Sequence, residues 1–279
     1  MNTPLVSIIT PVYNASRFLP RLFKCVSNQH DVMYEHILVD DCSTDNSLQL
    51  MRDLAKGNPS ITIIAMSENS GPVIARNLAI RGARGKYLAF LDADDYWLPN
   101  KSLVQSQFME ETGAALSFSD YRFISEDGRL VGRRLRGPNR VGWSAHHMTR
   151  YLGCLTIMIN REQCTDFHFP DITSSYRAED FLAWSRIIAR HGAALRCKHD
   201  LARYAVVANS RSSGALRAAK SVWTQYRVVE NISIFKTFIF FSVYAVLTTL
   251  KRSWFKPRWR AEEIDGISSD LYLLKAQND

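Results

Sequence analysis

Residues 86–91, KYLAFL, form an apolar run that ends in three carboxylates, Asp92, Asp94 and Asp95. Asp92 and Asp94 stand one residue apart and offer hard oxygen ligands. Mg2+ or Mn2+ is ordinarily held by one or two carboxylates together with the phosphates of a substrate. A cation so placed cancels charge on a diphosphate leaving group. Other apolar runs end in the same way. TPVYN (10–14), DDCSTD (40–45) and SENSG (67–71) each close one. Asp, Ser and Asn also cap helices and make turns, and Asp45 or Ser43 suits the start of the helix that follows. Capping does not need so many acids, and clustered acids repel unless something positive lies among them. Glu179 and Asp180, in RAEDFLAW, add an acidic pair at the start of a helical pattern, where the plain explanation is the helix dipole.

These groups need elements to hold them. The first hundred residues alternate between short β-branched runs and helical spacings. Strands are expected at 5–10, 36–40, 61–66 and 86–91. Helices are expected at 17–29, from Asp45 to about Lys56, and at 72–84, where Pro72 suits a first turn. Near-continuous apolar strands separated by helices predict a parallel sheet covered on both faces, an α/β fold. Ligands of such sheets bind beyond the carboxyl ends of the strands, where the polar turns collect. Further on, 114–124 predicts one or two strands, 154–160 a strand and 177–192 a helix ended by Gly192. Residues 125–150 are basic and loop-rich, which predicts a solvated loop or a lid facing a second substrate.

The chain of 279 residues carries a net charge of +8, unevenly spread. Residues 211–260 hold ten Lys/Arg against the single acid Glu230, so the remainder is close to neutral. A neutral body with a basic tail predicts a surface contact made by the tail. Within it, 234–250 is apolar and is followed by KRSWFKPRWR. Basic and aromatic residues beside an apolar helix suit a membrane interface at 233–260, lying in the plane of the bilayer, rather than nucleic acid; docking on the protein's own body or on a dimer partner, or a span, are the alternatives. Five cysteines without a C-x-x-C argue against a disulfide framework or a zinc site. The start, MNTPLVSIITPVYN, lacks a basic n-region and a cleavage site, so the expected location is the cytoplasm. There is no G-x-G-x-x-G after the first strand, which excludes a dinucleotide-dependent dehydrogenase.

Five blocks in order, IITPVYN, ILVDDCSTDNS, SENSGPVIARNLAI, GKYLAFLDADDYW and RAEDFLAWSRI, resemble glycosyltransferase family 2. The likeness covers roughly residues 5–205. It implies a GT-A fold, Rossmann-like with a mostly parallel central sheet, flanking helices and here C-terminal amphipathic helices. The later blocks and the tail look most like bacterial enzymes that build capsule, lipopolysaccharide or teichuronic-acid-type polymers. The implied organisation is a GT-A domain at 1–210 and a basic helical tail at 211–279. Within the domain, 1–100 binds the nucleotide-sugar and 101–210 carries the acceptor and the base.

The resemblance also implies roles. Thr10, Pro11 and Tyr13 line the nucleotide pocket. Asp41 accepts from the N3–H of a uracil ring, which favours a UDP-sugar, although dTDP offers the same donor. Arg76 approaches the nucleotide or diphosphate. Asp92 contacts the ribose and shares the metal, Mn2+ or Mg2+, with Asp94 as the main ligand. Asp180 is the general base, with Glu179 as the alternative. The implied activity is inverting transfer of a sugar to an acceptor hydroxyl, as on a lipid-linked glycan at the inner face of the cytoplasmic membrane. The alternative is a non-catalytic membrane-associated protein that only binds the nucleotide-sugar. Cys42 stands where the family commonly has glycine, and Ala15 and Ser16 follow Asn14 where many members have a glutamate. Asp95 is expected to cap or position a helix starting near Pro99.

Overall fold

The computed structural model describes residues 4–171, 179–206, 215–254, 256–261 and 264. The first half runs β1 (Val6–Val12), α1 (Leu19–Ser27), β2 (Tyr34–Asp40), α2 (Ser47–Ala55), β3 (Ile61–Ala65), α3 (Pro72–Gly82) and β4 (Tyr87–Phe90). The second half runs β5 (Tyr96–Trp97), α4 (Lys101–Thr112), β6 (Leu116–Ser125), β7 (Leu130–Val131), β8 (Arg140–Val141), α5 (Trp143–Thr149), β9 (Ile157–Asn160), α6 (Glu179–His191) and β10 (Ala194–Val206). The tail adds α7 (Ala215–Thr224), a π-helical turn at Gln225–Val229, α8 (Ile234–Trp254) and β11 (Trp259–Arg260).

The four strands of the first half pair in the order β3-β2-β1-β4, all parallel. Their apolar character on both faces is explained by two cores, one on each side of the sheet. Leu22, Val26 and Met51 of α1 and α2 pack on one face. Ala75 and Ala79 of α3 and Trp184 and Ile188 of α6 pack on the other. Each fully buried large side chain contributes about 1.5–3 kcal/mol, so the sheet is the rigid part on which the polar turns are mounted. β9 then pairs antiparallel with both β4 and β6.

β10 runs parallel to β6 through two register shifts between Cys197 and Ala202. The sequence patterning does not mark β10 as a strand, because charges interrupt it. Those charges are paired. Asp120 of β6 is enclosed and accepts from Arg196 at 2.6 and 2.7 Å and from Arg134 at 2.8 Å. Arg122 and Arg203 share Asp200. A buried charge survives only with such partners.

The basic 125–150 segment is not wholly a solvated loop. It contains β7, β8 and α5, with His146 and His147 buried. The short α5 carries too few residues to show a period. The helix expected at 177–192 is α6; residues 177 and 178 lie outside the described residues.

Where the turn before β4 crosses β1, Gly85 donates its N–H to Ser7 Oγ at 2.9 Å. A Cβ there would stand 2.6 Å from the Ser7 backbone nitrogen. Gly85→Ala should therefore push β4 away from β1 and cost about 1–3 kcal/mol. A urea unfolding midpoint equal to that of the parent would contradict this account of the crossing.

Candidate active site

The polar turns meet at the carboxyl edge of β1–β4, as the sheet topology requires. At the end of β1, Thr10 turns inward and its hydroxyl lies 2.9 Å from His36 Nε2. Burial pushes His36 down to about 3, so that ring is neutral. Pro11 is half-buried and Tyr13 is exposed. Asn14, which was not singled out from sequence, joins this turn to the next. Its side-chain oxygen accepts from the Thr44 N–H at 2.8 Å and the Asp45 N–H at 3.2 Å. Its φ of 48° is left-handed, a region asparagine tolerates better than most residues. Cys42, where the family commonly has glycine, is left-handed too, with φ 57°.

Asp41 is buried, and its carboxylate organises the third turn. Oδ1 accepts from the Ser70 N–H at 2.7 Å and Oδ2 from the Gly71 N–H at 2.9 Å. Gly71 has φ 88° and ψ 165°, a conformation left almost entirely to glycine. Asp41 thus fixes the start of α3. Each of its oxygens keeps a second lone pair for a base N–H.

The second turn of α3 carries Arg76, which is buried and lies between two acids. Its Nη2 donates to Asp92 Oδ1 at 2.5 Å, and Nη1 lies 3.7 Å from Glu179 Oε1. Its guanidinium sits 5.4 Å from the centre of the Phe169 ring. Burial works against this charge, but Asp92 and Glu179 outweigh it and hold the arginine firmly ionised. The acidic turn after β4 and the acidic pair of α6 are therefore brought together through one side chain.

The three acids of that turn differ in surroundings. Asp92 and Asp94 are half-buried, and the Asp94 carbonyl accepts from Arg21 Nη2 at 2.5 Å. Asp95 is enclosed. Contrary to expectation it does not cap the next helix, since α4 begins at Lys101 after Asn100. Asp95 Oδ1 instead accepts from the Ala205 N–H at 2.9 Å and ties the turn to β10. Burial, then Asp94 and Asp92, raises Asp95 well above the ordinary carboxylate range. Asp180 is half-buried, with Oδ1 accepting from the Phe181 N–H at 2.6 Å. Burial first, then Glu179, pushes it up to about 6, while Arg76 and Arg150 pull the other way.

Among the described residues, no three His, Cys, Asp or Glu side chains gather into a metal cage. Asp92 and Asp94 nevertheless fit a hard cation whose other ligands are substrate phosphates. Burial is the main cause of the raised Asp95, and the charges of Asp94 and Asp92 add to it; a cation between those two would offset that second part. A cavity of about 770 Å³ lies elsewhere, between α3 and residues 161–168, lined by Asn77, Arg81, Arg161 and His168. None of the acids above lines it.

A parallel sheet that delivers an acidic turn and a helix-borne acidic pair to one edge has the layout of a GT-A nucleotide-sugar transferase. The structure of Staphylococcus aureus TarS 1–349 in complex with UDP has a similar fold, with a TM-score of 0.63 at 20% identity over 89% of this chain and 72% of that one. The model of glycosyl transferase family 2 matches residues 7–181, and the chain belongs to that family and is a glycosyltransferase. It is 35% identical to the putative teichuronic acid biosynthesis glycosyltransferase TuaG of Bacillus subtilis, over 89% of this chain and 98% of the relative. It is 28% identical to the UDP-Glc:alpha-D-GlcNAc-diphosphoundecaprenol beta-1,3-glucosyltransferase WfgD of Escherichia coli, over 80% and 85%.

Asp180 binds its proton more tightly folded than unfolded. Its contribution to stability is present below about pH 4 and is lost as pH rises through about 6. Asp180→Asn should remove that cost and raise stability at pH 8 by about 1–2 kcal/mol, allowing for screening in a half-open cleft. At pH 4 the gain should largely vanish. A variant that is no more stable than the parent at pH 8 would show that the carboxylate is not strained in this way.

Proposed function

We propose that the chain transfers a sugar from a nucleotide-sugar, UDP-linked by preference, to a hydroxyl of a lipid-linked glycan in the assembly of a bacterial cell-surface polysaccharide. The observation that carries this is the Arg76 bridge, which sets Asp92 of the acidic turn and Glu179, the neighbour of Asp180, on one guanidinium. The names of the relatives support the setting. One relative is assigned to teichuronic acid biosynthesis, and another acts on a diphosphoundecaprenol-linked GlcNAc with UDP-Glc.

The reaction runs as a single displacement. Asp180 takes the proton of the acceptor hydroxyl, with Glu179 as the alternative base. The acceptor oxygen forms its bond to the anomeric carbon as the bond to the diphosphate breaks. The electron pair leaves with the diphosphate, and the anomeric configuration inverts. A base poised near neutrality suits this step, which is worth about 10²–10⁴-fold. Asp41 meets the N3–H of the base beside Pro11 and Tyr13. Thr10 shapes this end from beneath, through its bond to His36. Arg76 keeps both acids in place and faces the diphosphate with positive charge. The chemistry a bound Mn2+ or Mg2+ would supply here is charge neutralisation of the leaving diphosphate. Asp94 would hold it with help from Asp92, which already shares an oxygen with Arg76.

The tail favours a lipid surface. Among the described residues no helix is long and apolar enough to cross a membrane. One face of α8 packs on the body through Thr237 and Phe240, while Phe235, Phe238, Ile239, Val246 and Leu250 are exposed on the other. That outward apolar stripe on a basic segment fits in-plane binding to anionic lipid.

Nucleotide-sugars bearing UDP, dTDP or GDP, offered with Mn2+ or Mg2+ and a synthetic GlcNAc-diphosphate-lipid, should identify the donor by released nucleoside diphosphate. A UDP-sugar should turn over, Asp180→Asn should lose about 10²–10⁴-fold, and a chelator should abolish release. No release from any donor would refute the proposal. Liposomes containing anionic lipid should float the full chain but not a variant with Phe235, Phe238 and Ile239 replaced by Glu. Equal flotation of the two would remove the membrane assignment.

A further inference from the structure

α5 ends at Arg150 in a left-handed conformation, with φ 47° and ψ 49°. Glycine is the common residue at such a helix end. An arginine there is disfavoured by its backbone, which directs attention to its side chain. The guanidinium carbon lies 4.0 Å from the centre of the Phe181 ring and 5.2 Å from that of Tyr244. Phe181 directly follows Asp180 and donates its N–H to the Asp180 carboxylate. His146, one turn before Arg150, stacks on the same ring at 4.0 Å and bonds the Phe181 carbonyl through Nε2 at 3.0 Å. The residue next to the base is thus clamped from α5 on both its ring and its carbonyl. Arg150 Nε is buried without a partner, so packing alone does not satisfy this guanidinium.

The tail holds Arg150 in turn. Its Nη2 donates to Gln225 Oε1 at 2.7 Å, and Gln225 Nε2 donates to Glu230 Oε1 at 2.9 Å. The other oxygen of Glu230 lies 2.6 Å from His147 Nε2, while His147 Nδ1 faces the Trp143 carbonyl at 2.8 Å. Tyr226 bonds the His147 carbonyl at 2.5 Å. Gln225 and Tyr226 open the π-helical turn, a deviation that tends to occur at functional sites. Gln225, Tyr226 and His147 are fully buried.

We infer that Arg150 is a positioning residue for Asp180, and that Gln225 and Glu230 of the tail hold it in place. The tail is then part of the catalytic unit as well as a lipid contact. Arg150 steadies the first turn of α6 through Phe181 and adds positive charge near the carboxylate that must stay ionised. This inference rests on Asp180 being the base.

The test compares Arg150→Met, Arg150→Lys, Gln225→Ala, Asp180→Asn and the Asp180→Asn/Arg150→Met pair in the full chain. It uses the donor that turns over in the panel described above. Arg150→Met should lower kcat by on the order of 10-fold or more, with donor KM within about twofold, because misplacement of a base is costly. Arg150→Lys should recover part of the loss. In the Asp180→Asn background Arg150→Met should cost less than about twofold, because there is no base left to position. Amide hydrogen exchange at residues 179–184 should quicken in Arg150→Met and in Gln225→Ala, with α3 unchanged. Independent, multiplying effects of the two substitutions, a change confined to KM, or unaltered exchange at 179–184 would each overturn the inference. Full activity of Asp180→Asn would instead overturn the base assignment. If Arg150→Met does not fold, Gln225→Ala decides the matter by the same readouts. If no donor turns over, unaltered exchange at 179–184 would still overturn the inference.

Discussion

The site depends on one buried cation. Arg76 is enclosed at the edge of the sheet, and its charge is kept there by Asp92 on one side and Glu179 on the other. These acids come from opposite halves of the chain. Neither turn could be packed so closely against the other without a positive group between them, because like charges in a low dielectric repel strongly. The guanidinium suits the task because its nitrogens point in fixed, different directions and can address two carboxylates at once. Everything that places α3 therefore matters to this arrangement of acids. Asp41 bonds the two N–H groups at its start, Gly71 makes the turn, and the small Ala75 and Ala79 let the helix lie close to the sheet.

The first half of the fold was legible in the sequence, because each strand is a short β-branched run between turn residues. β1 to β4 and α1 to α3 fall within a few residues of their expected places. The collection of polar turns on one edge was legible for the same reason, since parallel strands all present the same end. The likeness to glycosyltransferase family 2 added the order and spacing of the blocks. The second half was legible only in part: the elements expected at 114–124, 154–160 and 177–192 are β6, β9 and α6, whereas the rest depends on pairings between distant residues. β10 carries charges that only make sense beside β6, where Asp120 meets Arg134 and Arg196. α5 is too short for a period, and its two histidines read as a solvated loop until their partners Phe181 and Glu230 are seen. Asn14 and Arg21 act through backbone groups of other turns, which no local pattern announces.

The acids of the site show how similar side chains sit in different surroundings. Asp41 accepts from one backbone N–H at each oxygen and serves as a structural anchor with lone pairs to spare. Asp92 shares an arginine. Asp95 is enclosed with one N–H donor and is held toward its neutral form, so it works as a strut between the acidic turn and β10. Asp180 is half-buried and pushed up to about 6. That leaves it ionised at neutral pH yet basic enough to accept a proton, whereas an ordinary carboxylate would be a far weaker base.

The tail has two faces with opposite needs, and this bears on why it is joined to the catalytic body rather than tethered by a linker. The inner face of α8 completes a small apolar cluster with Phe181, Val222 and Tyr226, while the outer face leaves large apolar side chains uncovered. A flexible anchor would bring the enzyme to a surface but leave its cleft free to face any direction. A helix packed against Phe181 cannot do so: its orientation fixes that of Asp180, the proposed base. In the proposed function, an acceptor hydroxyl carried close to a lipid headgroup would then meet Asp180 at a set height above the bilayer. Rigid docking of the tail thus supplies orientation as well as proximity, and these two terms together are what lower the entropic part of a barrier between bound reactants.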